Sequence, residues 1–220
     1  HEQELLPGQD ESGFYGRQYF DEYQVRQLHL PPITERARTD LPERCLYWLK
    51  TLLSYKLPPA RTLEIGCSHG GFVGLMRWAG FDAQGLELSP WVAGFANSTF
   101  GVPVLTGPVE EQPLEPASLD AVVMMDVLEH LPDPLRTVRR CLSLLKPGGL
   151  LMMQTPAYPE GQTLEEMQVG RNAFLNMLVP REHLHLFSQS SVRRLLSEAG
   201  AGHVTFEKAL FQHYDMFLVA

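Results

Sequence analysis

The sequence predicts a doubly wound α/β fold: a mainly parallel, seven-stranded sheet with helices on both faces and an antiparallel hairpin at its carboxyl end. Three observations carry this expectation. From residue 62 onward, short β-type runs alternate with amphipathic helical runs, the pattern of a parallel sheet with crossover helices. Residues 119–125 are apolar but for Asp120, as a strand buried on both faces must be. The last two strand-like runs, 203–208 and 215–219, leave no room between them for a crossover helix, so they should pair antiparallel.

The elements follow in order. Residues 40–55 read as a helix, with Cys45, Trp48, Leu49, Leu52 and Leu53 at helical spacing and Asp40 as its cap. Leu57-Pro58-Pro59 ends it, and 62–65 is a short strand. Residues 72–79 form a helix closed by Gly80. A second strand, 83–87, leads to Ser89-Pro90, a cap followed by a first-turn proline. Residues 102–105 form a weak third strand. After the 119–125 strand, Asp133-Pro134 opens a helix with Leu135, Val138, Leu142 and Leu145 on one face, stopped by Lys146-Pro147-Gly148-Gly149. Strand 150–155 comes next. Ser188 caps a helix through Val192, Leu195, Leu196 and Ala199 that ends at Gly200.

Composition narrows the function classes. The chain has 220 residues, of which 44 % are hydrophobic and 20 % charged, enough apolar content to bury a core without staples. No apolar run approaches the roughly 20 residues that span a bilayer, and no membrane partner is expected. The formal net charge of −8 disfavours nucleic acid, which needs many cationic contacts to phosphate. Three scattered cysteines, Cys45, Cys67 and Cys141, suit reduced thiols in the cytoplasm. Opening on His1 and closing on Ala220 inside an apolar run suggests a segment of something longer, leaving room for further domains or a homodimer.

In such sheets ligands sit at the carboxyl ends of the strands, near the switch in strand order. Gly66-Cys67-Ser68-His69-Gly70-Gly71 follows the first strand, where glycines let the backbone turn sharply and approach a ligand. Glu87 closes the second strand 21 residues after Gly66, placed to accept both hydroxyls of a ribose. Ser68 stands where a dinucleotide fold needs a small glycine beside pyrophosphate. Glu64, just before the loop, suits an ammonium better than a phosphate. A nucleotide-linked oxidoreductase is therefore the weaker alternative, and a binding domain without turnover is another.

These residues resemble a known family. Leu63-Glu64-Ile65-Gly66-Cys67-Ser68-His69-Gly70-Gly71-Phe72 resembles the first motif of class I S-adenosylmethionine-dependent methyltransferases. Gly85-Leu86-Glu87-Leu88-Ser89 is similar to their second, while residues 119–131 and 145–150 are similar to two later ones. The branch is that of ubiquinone-biosynthesis and sugar O-methyltransferases. The resemblance implies S-adenosylmethionine as cofactor and a small-molecule acceptor, a sugar or another metabolite. It places Glu64, Gly66 and Gly70 at the methionyl end and Glu87 at the ribose, with Cys67 and Leu88 in the same cofactor set. Asp126 would lie near the sulfonium. Pro108 stands where the family has an acid, so Val109 and Glu110 become the candidates for the adenine edge.

Methylating a neutral hydroxyl also requires removing its proton. His130, His183 and His185 are the candidate catalytic residues; strict alternation over 183–186 would put His183 and His185 on one face. They stand open to three readings: structural caps, a general base, or, with Asp126 and Glu129, ligands of a divalent metal. The last resembles metal-assisted relatives that carry Glu at the place of Asp126, and the shorter side chain argues against a metal. Residues 156–180 leave the fifth strand at its ligand end and read as an insertion over the acceptor site, partly helical around 164–178. Residues 1–56 are expected to form an aromatic segment, 14–20, and a helix, both packed on the cofactor-binding domain of 57–220. Tyr15 and Tyr19 are candidates to close over the cofactor.

Overall fold

The computed structural model describes residues 17, 24–26, 31–179, 182–211 and 213–220. Seven strands form one sheet: β1 (Arg61–Ile65), β2 (Asp82–Glu87), β3 (Val104–Thr106), β4 (Leu119–Met125), β5 (Leu145–Pro156), β6 (Thr205–Glu207) and β7 (Asp215–Val219). Their order is β3-β2-β1-β4-β5-β7-β6. The first five are parallel; β7 runs antiparallel to both β5 and β6, as the short β6–β7 connection required. The direction of winding reverses between β1 and β4, and a crevice for ligands opens at such a reversal.

Alternation along β4 shows why its sequence is apolar throughout. Ala121 and Val123 face one core with Trp48, Leu52, Phe72 and Met76. Val122 and Met124 face the other with Val138, Leu144, Val192 and Leu196. The first core is covered by α2 (Leu46–Tyr55) and α3 (Gly71–Trp78), the second by α5 (Pro134–Leu144) and α7 (Gln189–Ala199). The expected caps are in place. Ser89 accepts from Val92 N at 3.3 Å to open α4 (Pro90–Phe100), Asp133 from Arg136 N at 3.0 Å, and Ser188 from Ser191 N at 3.2 Å.

Asp40 is not a cap. A helix absent from the sequence reading, α1 (Ile33–Thr39), precedes it, and a π-helical turn, Leu41–Cys45, carries the chain on into α2. Asp40 has helical dihedrals and no capping bond, because its carboxylate is taken by His69. Lys146-Pro147-Gly148-Gly149 ends α5 at Leu144 rather than Leu145, and then forms the irregular start of β5. The register there jumps from Leu119↔Leu145 to Ala121↔Leu150. β3 lies at Val104–Thr106, two residues later than its apolar start suggested. The insertion holds a capped helix, α6 (Leu164–Val169), and a 3-10 turn, Ala173–Met177. Of the aromatic run 14–20 only Arg17 falls within the described residues, so Tyr15 and Tyr19 lie outside them. Among the described residues no helix is long and apolar enough to cross a membrane.

Candidate active site

The loop after β1 is held by the end of β2: Gly66 N and Cys67 N both donate to Leu86 O, at 2.8 and 3.0 Å. Gly66 has φ +67°, and a Cβ there would lie 2.5 Å from Val127 Cγ2, so both conformation and space demand glycine. Ser68, the departure from an all-glycine loop, adopts φ 47°; it keeps the left-handed turn a glycine would make. Its N–H donates to Glu87 at 3.0 Å, and Ser89 N–H donates to the other carboxylate oxygen at 3.1 Å. Two amides thus aim the Glu87 carboxylate, leaving a second lone pair on each oxygen. Burial raises its pKa against those two bonds and the pull of the Leu88 amide. Leu88, half-buried, follows it. Gly70 takes φ +79°, with Ala96 Cβ 2.7 Å from where its own Cβ would stand.

Glu64 is buried, and its Oε2 has no hydrogen-bond partner. Burial, then the charge of Glu87, pushes its pKa well above the usual carboxylate range. The Cys67 side chain is buried against Gly85, and burial pushes its thiol up; only its backbone can serve a ligand. His69, which the sequence reading passed over, receives Gly71 N–H on Nδ1 at 3.1 Å and meets Asp40 with Nε2 at 3.1 Å. This pair ties the α1–α2 segment to the loop. At the third strand, Val109 is buried at the start of a 3-10 turn. The Glu110 carboxylate is engaged by the Thr137 hydroxyl on α5.

A second group of polar side chains gathers where β4 and β5 end. Asp126 has φ 55°, and its carboxylate is held between the Arg44 guanidinium and Gln154 Nε2, the latter at 3.0 Å. Gln154 in turn accepts from Trp48 Nε1 at 3.1 Å. The Arg44 guanidinium lies 5.1 Å over the Trp48 ring and 5.8 Å over Phe211. No sequence pattern pointed to Arg44; the π-helical turn, a device frequent at functional sites, delivers it.

Glu129, His130 and His183 come together, with one ligand atom from each lying within 4.8 Å of the others. Glu129 Oε2 accepts from the buried Thr155 hydroxyl at 2.9 Å, and Oε1 is 3.9 Å from His130 Nε2. His130 Nδ1 donates to Glu182 O at 2.7 Å and His183 Nδ1 to Met177 O at 2.6 Å, leaving both Nε2 lone pairs available. Burial, then the charges of Asp126 and Asp215, pushes Glu129 up to about 8. Burial, then His183, pushes His130 down to about 4. The expected strand over 183–186 does not form: His183 faces His130 with ring centroids 4.8 Å apart, while His185 packs on Phe187 at 5.7 Å. His185 is thereby parted from the other two. Asp126, bound to Arg44, is parted from Glu129 as well.

A protein-family model described as a methyltransferase domain matches residues 37–204. The chain belongs to this family. It shares its class I fold and its cofactor, S-adenosylmethionine. A ubiquinone biosynthesis O-methyltransferase of Xanthomonas campestris pv. campestris (strain B100) is 40 % identical over 105 residues, 45 % of this chain and 44 % of that protein. The chain spans about half the length of the curated relatives it matches. A Thermotoga maritima S-adenosylmethionine-dependent methyltransferase superposes with TM-score 0.61 at 22 % identity, covering 84 % of this chain and 93 % of that one. An N-methyltransferase of Haemonchus contortus, bound to phosphomonomethylethanolamine and S-adenosylhomocysteine, gives 0.65 at 19 %, covering 86 % and 46 %. At these identities the likeness is one of fold. The methyltransferase cofactor fits the residues present: an orphaned buried carboxylate oxygen on Glu64 beside a loop that excludes side chains.

Proposed function

We propose that this chain transfers a methyl group from S-adenosylmethionine to an oxygen of a small-molecule acceptor, a sugar or another hydroxylated metabolite. One observation carries the reading. Glu129 and His130 follow β4, the strand paired directly with β1, and His183 joins them from the return of the insertion, so proton-removing groups stand beside the cofactor loop. The relatives' description as O-methyltransferases supports oxygen as the atom methylated.

When bound, the cofactor supplies an electrophilic methyl group on its sulfonium sulfur. The chain does the positioning. Glu64 takes the methionyl ammonium on its unpartnered oxygen, a charge-assisted bond. Arg44, whose buried Nε has no partner, offers a donor to the methionyl carboxylate. Backbone at Gly66, Cys67 and Gly70 lines the loop, Glu87 accepts the ribose hydroxyls with Leu88 beside it, and Val109 and Glu110 border the adenine. Asp126, clamped by Arg44, sets the wall nearest the sulfonium.

The acceptor's proton goes to the triad. His130 is neutral at neutral pH, yet a base pushed down to about 4 holds a proton weakly. His183 and His130 with Glu129 present two imidazole nitrogens and a carboxylate, a set that suits several divalent ions. Both nitrogens have the carbonyl-fixed tautomer that ligating histidines need. The shorter side chain of Asp126 argued against a metal in the sequence; this geometry favours the metal-assisted alternative. Glu129, His130 and His183 would hold the ion, which would lower the pKa of a coordinated hydroxyl.

The test is to incubate the chain with S-adenosylmethionine and a panel of hydroxylated, amine and carbon acceptors, following S-adenosylhomocysteine by mass spectrometry. Methylated oxygen is expected. Products methylated only on nitrogen or carbon would overturn the assignment.

A further inference from the structure

We propose that the insertion's 3-10 turn (Ala173–Met177) and the return at Glu182 to His185 create the cation site, so that binding a divalent cation and docking this stretch are one linked equilibrium. The inference rests on the metal-assisted reading above.

Two backbone carbonyls decide the triad's chemistry. Met177 O faces His183 Nδ1 at 2.6 Å and Glu182 O faces His130 Nδ1 at 2.7 Å. A carbonyl can only accept, so Nδ1 carries the hydrogen in both rings and Nε2 keeps the lone pair. The third group, Glu129, comes from the body of the fold and is fixed by the fully buried Thr155. Its own backbone carbonyl accepts from Leu184 N at 2.8 Å and His185 N at 3.1 Å. The return is thus strapped to the residue whose side chain it completes. Undocking it removes His183 and releases the tautomer of His130 in one event. Only the docked arrangement has three converging groups, so a cation binds that arrangement and draws the population toward it. Phe174, 1 % exposed and edge-on to Tyr158 at 5.4 Å, is the apolar anchor that moves with it.

The experiment uses the full chain without cofactor or acceptor, with Mn²⁺ as the probe because it accepts both imidazole and carboxylate. Hydrogen exchange is followed by mass spectrometry. At 100 times the Mn²⁺ dissociation constant, amides of Leu175, Leu178, Leu184 and His185 should exchange about 100-fold more slowly. Amides of β4 should be unchanged. His183→Ala should abolish this protection and weaken Mn²⁺ at least tenfold. A second variant replaces residues 161–177 by a glycine–serine linker, leaving Glu129, His130 and His183 in the chain. It should also lose at least tenfold in Mn²⁺ affinity, because no 3-10 turn then holds a carbonyl against His183 Nδ1. Thermal shift with S-adenosylmethionine serves as the folding control for both variants. Failure of Mn²⁺ to bind, protection spread evenly over the fold, or wild-type affinity in the linker variant would each overturn the proposal. A chain that binds S-adenosylmethionine but lacks the linked protection overturns this proposal alone. One that shows the protection but methylates nothing overturns the functional reading instead.

Discussion

Glu64→Gln separates the two consequences of burying a carboxylate with one oxygen left unpartnered. Its Oε2 is orphaned, and burial, followed by the charge of Glu87, lifts its pKa well above the usual range. A group raised in the folded state contributes stability at pH below its unfolded value, and that contribution is lost as pH rises through the folded value. Without cofactor, the wild type should therefore lose stability as pH climbs out of the ordinary glutamate range. The variant, neutral at every pH, should lack this component and so gain in stability relative to wild type as pH rises. Binding behaves oppositely. A charge-assisted hydrogen bond contributes about 1.5–3 kcal/mol, so losing the one to the methionyl ammonium should weaken S-adenosylmethionine about ten- to hundred-fold. The cofactor also needs the ionised carboxylate, so wild-type binding should release protons and variant binding should not. Isothermal titration in two buffers of different ionisation enthalpy reads affinity and proton release together; melting against pH reads the other half. Unchanged affinity in the variant would refute the role given to Glu64.

Three further outcomes are expected. Glu87→Ala should weaken S-adenosylmethionine by about 1.5–3 kcal/mol, since the ribose loses a charged acceptor, and equal thermal stabilisation of variant and wild type would remove Glu87 from the site. His130→Ala and His183→Ala should each lower kcat at least tenfold with cofactor affinity unchanged. His185→Ala should stay within a few-fold of wild type, because its ring lies against Phe187; the three rates, measured side by side, decide which imidazoles act. Dialysis against chelator should leave S-adenosylmethionine binding intact and remove methyl transfer, with activity restored by added divalent cation; full activity after chelation would return the proton to a histidine base.

How much of this was legible follows from what a residue type can encode. Strand β4 could be read because burial on both faces leaves almost no freedom but to be apolar, and the caps of α4, α5 and α7 because a hydroxyl or carboxylate three residues before an orphan N–H is a local pattern. The cofactor loop was legible for the same reason: Gly66 and Gly70 answer backbone geometry that no other residue satisfies without strain. Asp40 was misread because an aspartate ahead of a helical run looks like a cap whatever its real partner. That partner, His69, lies 29 residues on. The tautomers of His130 and His183 are set by carbonyls of Glu182 and Met177, and a backbone carbonyl has no sequence signature at all.

Asp126 shows where an argument from side-chain length alone stops short. By length alone, an aspartate in place of glutamate falls short of a metal, which argued against one. The structure supplies a different reason for its exclusion: Arg44 and Gln154 occupy both of its oxygens, so a glutamate's reach would not by itself bring it into the triad. Even paired, the charge of Asp126 is still felt at Glu129, whose pKa it helps to raise. Arg44 thus pairs with the residue after β4 while its buried Nε keeps a donor unpartnered. The acidic character of the acceptor side is then left to Glu129 and to Asp215, which burial and Asp126 push up to about 8 against the pull of Arg44. With no cation bound, a pocket with one paired carboxylate and two buried ones offers an anion no positive partner. In the chelated chain, metabolites bearing a carboxylate or phosphate next to the hydroxyl should therefore bind more weakly than their neutral analogues, and a dissociation-constant series across such matched pairs checks it. Preference for the anionic member would reverse the charge assignment of the whole acceptor side.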